Sequence, residues 1–197
     1  MSDINFTANY VRPVQIKKFQ KFKYRPFEAS MVELTRNDIS DLREVSKKWR
    51  STLGLYIASD SRTFINSGSY HFYALTKQKN NFEKLVVDDV LGLAEIKELD
   101  TFNRVLYIQT KPEYISRRYG CSLPDRICNS FKNVLISPFR KFKHIGKGML
   151  DSVKDIFPDK RIELTSVDEA VGFYKKQDFF TPSRVLAPEK LVFNPKQ

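Results

Sequence analysis

"KFKHIGKGMLDSV", Lys141–Val153, decides how the rest of this chain is read. Two of the seven glycines, Gly146 and Gly148, stand there among lysines and His144, directly ahead of an apolar-periodic segment. Met149, Leu150, Val153, Ile156 and Phe157 recur at the spacing of one helix face, and Pro158 stops the pattern. The first turn of a helix leaves backbone N–H groups without intrahelical partners, and the aligned peptide dipoles add partial positive charge there. An anion, above all a diphosphate, is stabilised at such a terminus, and glycines let the backbone come close to it. Lys141, Lys143 and Lys147, with Arg140 nearby, add attraction. The stretch therefore predicts a phosphate-bearing cofactor held by Lys143, His144, Ile145, Gly146, Lys147 and Gly148, with plain loop geometry as the alternative. It is not a nucleoside-triphosphate loop, since Met149 follows Gly148 where that motif needs Lys and then Ser or Thr. Nor is it the dinucleotide fingerprint, because the third glycine is missing.

The charge distribution points to the same stretch. The net charge is +11, and it is concentrated. Residues 1–30 hold six Lys/Arg against two Asp/Glu, and residues 111–147 hold nine against two. The remainder balances, eleven against eleven in 31–110 and eight against eight in 148–197. Two basic blocks suit anionic ligands better than a diffuse positive surface would. At 197 residues, 41% hydrophobic, one domain with a proper core is expected. No uninterrupted apolar run of membrane-spanning length occurs, and the N-terminus lacks an export-type apolar core, so a cytoplasmic protein with no membrane association is expected. Cys121 and Cys128 fit a reducing compartment, and with His71 and His144 the only histidines a metal site is not expected.

Outward from the loop, residues 1–29 read as a basic-aromatic N-terminal extension. Phe19, Phe22, Tyr24 and Phe27 interleave there with Lys17, Lys18, Lys21, Lys23 and Arg25. A short strand is predicted over 30–35, then a helix opened by a Thr35/Asp38 capping box and burying Ile39, Leu42, Val45 or Ser46, and Trp49. Residues 51–66 are ambiguous, read as a second helix and loop. Strands are predicted over 70–77, 89–99 and 104–111, the last two close enough to form a hairpin. Residues 112–142 look like an insertion, with a further strand end at 133–137. After the glycine loop come the helix, a strand over 161–166, a short helix capped by Ser166 and Glu169, and closing strands in 178–185 and 190–193. The order is an α/β plan with a mixed sheet.

With the elements in this order, "KHIGKG" resembles the Arg/Gln-x-x-Gly-x-Gly/Ala acetyl-CoA signature of the GCN5-related N-acetyltransferase (GNAT) superfamily, with Lys143 in the Arg/Gln slot. Downstream, "SVDEAVGFYKKQDFF" is similar to that superfamily's Asn-x-x-Ala-x-x-Phe-Tyr-x-x-x-Gly-Phe stretch through Ala170, Phe173, Tyr174 and Phe179. Val167 takes the Asn slot with Ser166 beside it as a substitute, Gln177 stands where an apolar residue is usual, and Asp178 where Gly is common. The resemblance covers about 30–193. It implies a GNAT-like mixed, mostly antiparallel sheet flanked by helices, an N-acetyltransferase-like domain interrupted by the 112–142 insertion, and acetyl-CoA as co-substrate.

That chemistry needs few groups. A leaving thiolate benefits from a general acid, and the resemblance assigns this to Tyr174, which also reads as one half of a packed aromatic pair with Phe173. For the base, Glu95 lies on a predicted strand, alternating onto the face of Leu91 and Leu93, where an apolar setting raises a carboxyl pKa. Glu113 is a second candidate and a water relay a third, while Gln109 and Thr110 on the next strand offer no carboxylate. The acceptor stays open between a small molecule, a protein and an aminoacyl-tRNA. The interleaved cations and rings of the N-terminal segment suit nucleic acid, and equally suit covering a core. A non-catalytic binding module on the same scaffold is the further alternative.

Overall fold

The computed structural model describes residues 9–49, 52–80, 82, 85–111, 141–182 and 189–195. Eight strands form one sheet in the order β6-β1-β2-β3-β4-β5-β7-β8. In chain order they are β1 (Asn9–Gln20), β2 (Lys23–Glu33), β3 (Tyr70–Thr76), β4 (Val90–Glu98), β5 (Phe102–Thr110), β6 (Phe142–Lys143), β7 (Arg161–Thr165) and β8 (Lys190–Phe193). Among the described residues, four α-helices flank them: α1 (Ile39–Trp49), α2 (Thr52–Phe64), α3 (Ile145–Ile156) and α4 (Asp168–Lys175). Every pairing is antiparallel except β5 with β7. The α/β class with a mixed, mostly antiparallel sheet is thus the observed one.

The sheet is buried on both faces, which is why β3 and β4 read as nearly continuous apolar runs. On one face α1 and α2 lay Leu42, Val45, Trp49 and Ile57 over Phe72, Ala74 and Leu93. On the other, α3 and α4 lay Ile145, Met149, Leu150, Val153 and Tyr174 over Val14, Met31, Tyr73, Leu75 and Ile96. The expected entry to α1 is present: the Thr35 N–H donates to Asp38 Oδ2 at 2.8 Å, closing the chain into a short 3-10 turn ahead of the helix. Ambiguous residues 51–66 are chiefly α2.

Residues 9–29 differ from the expectation of an extension. They are all of β1 and most of β2, paired from Asn9–Glu33 to Gln20–Lys23, and the strand expected at 30–35 is the end of β2. The turn between them places Lys21 and Phe22 at φ 48 and 64, left-handed values that hairpin turns ordinarily fill with Gly or Asn. No sequence signal for a hairpin exists there. Two more expectations change. Ser166 does not cap α4, whose N-cap is Val167 with no side-chain cap bond. Leu91 does not share a face with Leu93 and Glu95. A bulge sets Leu75 opposite Gly92 and Thr76 opposite Val90, and Leu91 turns to the α3 side. The strand expected in 178–185 is a single bridge, Phe180 to Val192, and the strand end at 133–137, Glu113, Cys121, Cys128 and Arg140 lie outside the described residues.

Glycine decides where α3 sits. A Cβ on Gly148 would stand 2.7 Å from Val14 Cγ1, and one on Gly92 would stand 2.3 Å from Met149 Sδ. The helix therefore lies in direct contact with β1 and β4. At the opposite end of the sheet a polar chain ties four segments together. His71 Nδ1 meets Glu33 Oε1 at 2.9 Å, its Nε2 meets Glu98 Oε2 at 3.1 Å, and Lys160 Nζ donates to Glu98 Oε1 at 2.7 Å. The Glu33 hydrogen bond, helped by Glu98 and opposed by burial, raises the imidazole pKa, so the cation is favoured in the folded state. Its stabilisation is then complete below the unfolded value, about 6.5, and is lost as pH rises through the raised value. We predict that the urea midpoint falls across that window in the parent and that His71→Gln flattens the fall. A parent midpoint that is level or rises there contradicts the assignment.

Candidate functional site

Helix α3 begins where the short strand β6 ends, and His144 is its N-cap in the left-handed conformation, φ 67. The backbone N–H groups of Ile145, Gly146 and Lys147 have no hydrogen-bond partner among the described residues. Gly148 is different: its N–H donates to the His144 carbonyl at 2.9 Å. Of the two glycines, Gly146 lies among the open amides, and Gly148 answers the packing need described above. A Cβ on Gly146 would stand 3.5 Å from the Phe173 ring on α4 and 3.6 Å from Thr110 Cγ2 on β5. The open amides, the last residue of β5 and the last turns of α4 therefore meet at one point.

The sheet opens at that point. β5 pairs with β7 only from Phe102–Arg161 to Val105–Leu164. Leu106 is bulged out of the ladder with β4, since Glu95 faces Tyr107 and Ile96 faces Val105. From Leu106 to Thr110 the edge of β5 turned toward β7 has no strand partner among the described residues. Extended backbone with unused N–H and C=O groups beside a helix N-terminus can bind an elongated polar ligand by strand-like hydrogen bonds.

The charged residues around the loop are partly committed. Lys143 Nζ sits 4.0 Å from the centre of the Tyr24 ring, a cation–π contact with the hairpin. Lys147 Nζ donates to Asp151 Oδ2 at 2.8 Å and to Gln177 Oε1 at 3.1 Å, tying α3 to the turn after α4 and giving the polar Gln177 a role. His144 is exposed, and partial burial followed by the positive charges of Lys17, Lys143 and Lys147 lowers its pKa. Ser166 is buried, with its hydroxyl donating to the Val167 carbonyl at 2.8 Å and its N–H to the Glu189 carbonyl at 2.8 Å.

On α4, Tyr174 is 9% exposed, its ring edge-on to Phe173 and Phe179 with centroids 5.1 and 5.9 Å away. Burial pushes its phenol up to about 12, so it holds its proton at neutral pH and has that proton to donate. Its hydroxyl makes no hydrogen bond among the described residues. Asp178 adopts φ 65, the left-handed state that favours glycine, and the Phe179 N–H closes back on the Tyr174 carbonyl at 3.2 Å. Aspartate thus performs the helix-ending turn that Gly performs in the resembled motif.

Glu95 lies on the other face of the sheet, under α2, fully buried, and both its oxygens lack a hydrogen-bond partner. Burial first, and then Asp60 on α2, push its carboxyl up to about 8. Asp60 is near enough to interact, yet no well-formed hydrogen bond joins the two side chains. Across the ladder from Glu95 is Tyr107, and Tyr56 of α2 stacks on it at 5.9 Å. Asp60, Tyr56 and Tyr107 carried no local sequence signal, because only the packing of α2 on β4 and β5 brings them to Glu95. The predicted residues thus form two groups, loop with Tyr174 on one face and Glu95 on the other, either side of β5.

No protein-family model matches the chain, and no curated protein matches it. Three solved structures are similar to it. The PaiA N-acetyltransferase of Thermoplasma acidophilum, in complex with coenzyme A, is 18% identical with a TM-score of 0.48, over 86% of this chain and 99% of that one. An acetyltransferase of the GNAT family from Desulfovibrio desulfuricans is 12% identical, TM-score 0.45, over 83% and 96%. A mutant of the AtaT toxin, bound to the C-terminus of the antitoxin AtaR and to acetyl-CoA, is 14% identical, TM-score 0.44, over 84% and 92%. Among the described residues, no helix is long and apolar enough to cross a membrane.

Proposed function

We propose that this chain is an acetyl-CoA-dependent N-acetyltransferase. The observation that carries the reading is the meeting of three features at Gly146. They are the unpaired amides of Ile145–Lys147, the unpaired edge of β5 from Leu106 to Thr110, and α4 with Tyr174. The donor set fits coenzyme A: open N–H groups at a helix N-terminus suit its diphosphate, His144 and the nearby lysines add donors and charge, and a free strand edge suits its amide-bearing arm. When bound, that group supplies an acyl thioester whose carbonyl carbon accepts an amine nitrogen as the carbon–sulfur bond breaks.

The residues of this chain then have distinct roles. Tyr174 Oη gives its proton to the departing sulfur, and its pKa near 12 keeps that proton in place until then. Glu95, at about 8, is poised near neutral pH to take the proton released by the amine. Backbone N–H groups at the Leu106 bulge are the donors available to a developing oxyanion. Phe173 and Phe179 hold the Tyr174 ring. Tyr174→Phe is expected to lower kcat by a factor on the order of 100 while leaving acetyl-CoA affinity unchanged. Unaltered turnover removes the role given to Tyr174, and no binding of acetyl-CoA to the parent at about millimolar ligand removes the enzyme reading.

A second reading, that the acceptor is carried on RNA, is favoured by the β1–β2 hairpin. Its tip presents Phe22, 93% exposed, in a run from Lys17 to Arg25 that holds five cations and no acid. Stacking on an exposed ring beside phosphate contacts is how single strands are held. Binding of bulk tRNA to the chain should weaken steeply as salt rises, and Phe22→Ala with Lys21→Ala should weaken it further. Salt-insensitive binding, or none, sinks this reading.

A further inference from the structure

Lys154 sits oddly for a lysine of a flanking helix. It follows Lys147 on α3 at a spacing that repeats one helix face, yet it is half-buried. Its Nζ donates to the Gln177 carbonyl at 2.6 Å, and stands 4.1 Å from the centre of the Phe193 ring and 5.4 Å from that of Phe179. One ammonium thus joins α3, the turn after α4 and β8. Burial lowers its pKa, opposed by Asp151, Asp178 and Asp155 and assisted by Lys147, so the cation is kept there at a cost in hydration. Two of its contacts lead on to Tyr174. Gln177 gives its own N–H to the Tyr174 carbonyl at 2.8 Å. Phe179 gives its N–H to the same carbonyl at 3.2 Å, and its ring stands edge-on to the Tyr174 ring. A backbone route and a ring route therefore run from one Nζ to one residue.

We infer that Lys154 is a positioning residue for the acyl transfer, fixing through Gln177 and Phe179 where the Tyr174 hydroxyl stands as the sulfur departs. The inference rests on the acetyltransferase reading and deepens it. Lys154 lies about 13 Å along α3 from the open amide of Ile145, so it works through Tyr174 and not on the reacting atoms. α4 needs a hold from outside. It has eight residues, its N-cap makes no side-chain cap bond, and a helix this short takes its place from tertiary contacts. The turn that ends it carries Asp178 at φ 65, a conformation that costs a residue with a side chain. A cation on the last carbonyls steadies such an end, by its hydrogen bond and by its interaction with the helix dipole. The Asp178 carboxylate, within electrostatic reach of Lys154, strengthens the hold in turn. Lys147 also meets Gln177, but at the side-chain Oε1, which does not fix the backbone of the turn.

The test is a double-mutant cycle on the full chain, read as thiol released from acetyl-CoA with the most active amine of a panel. NMR of ring-labelled tyrosine in the same variants supplies a readout that needs no turnover. Lys154→Met keeps the stem and removes the ammonium, and is expected to lower kcat about tenfold while the KM for acetyl-CoA stays within about twofold. In the Tyr174→Phe background the same substitution should cost nothing further, because the group it positions is already gone. Lys154→Arg, which keeps the cation and a donor, should restore kcat to within about threefold of the parent. The Tyr174 ring signals should move in Lys154→Met and stay in Lys154→Arg. If Lys154→Met does not fold, Lys154→Gln carries the same cycle with the same signs. Equal losses in both backgrounds mark a general structural role and overturn the inference, as do an unchanged kcat or unmoved ring signals in Lys154→Met. Acetyl-CoA binding to the parent is measured alongside: its absence removes the enzyme reading and this inference with it, whereas binding and turnover with an unmoved ring remove the role of Lys154 alone.

Discussion

Helix α3 can press onto β1 and β4 only because Gly148 and Gly92 carry no side chain at the two places where helix and sheet touch. An added methyl at position 148 meets the stiff β-branched Val14, which has little freedom to move aside. That seat fixes the height and direction of the helix, and with it the position of three unpaired amides. It also sets the depth of Ile145, Met149 and Val153 in the core, so the contact that aims the helix is the same one that buries it. The rest of the candidate site is arranged around this placement.

β5 is the second fixed part. Its bulge at Leu106 and its short pairing with β7 have one consequence on each face. On the α3 side, the edge beyond Val105 is left free beside Gly146. On the α2 side, the register that follows the bulge sets Tyr107 opposite Glu95. A donor ligand on one face and an acceptor on the other would meet through the gap between β5 and β7.

Much of this was legible in the sequence, and the exceptions have physical causes. The strands from β3 to β5, the helix after the glycines and the α/β order follow from periodicity, because those segments pack in the way their patterns require. The β1–β2 hairpin was not readable: its turn residues, Lys21 and Phe22, adopt left-handed angles with neither Gly nor Asn to announce them. Gly148 carries the right signal for the wrong reason, since packing and phosphate binding both call for glycine ahead of a helix. The face of Leu91 was misjudged because strict alternation fails at a bulge, and Ser166 does not cap α4 because the helix starts one residue later, with Val167 at its N-cap position. Glu95 was visible as a carboxylate on an apolar strand. Its neighbours Asp60, Tyr56 and Tyr107 were not, because their meeting is a product of the α2–β4–β5 packing and no local spacing encodes it.

The central claim is that the open first turn of α3 receives a diphosphate. Amide NMR of the isotope-labelled full chain, titrated with coenzyme A, tests it residue by residue. The largest saturable shifts should fall on Ile145, Gly146 and Lys147, whose N–H groups are unpaired, and should decline from Gly148 onward, where each amide is already bound within the helix. Binding with these three amides unmoved, or shifts centred on a different part of the sheet, would contradict it.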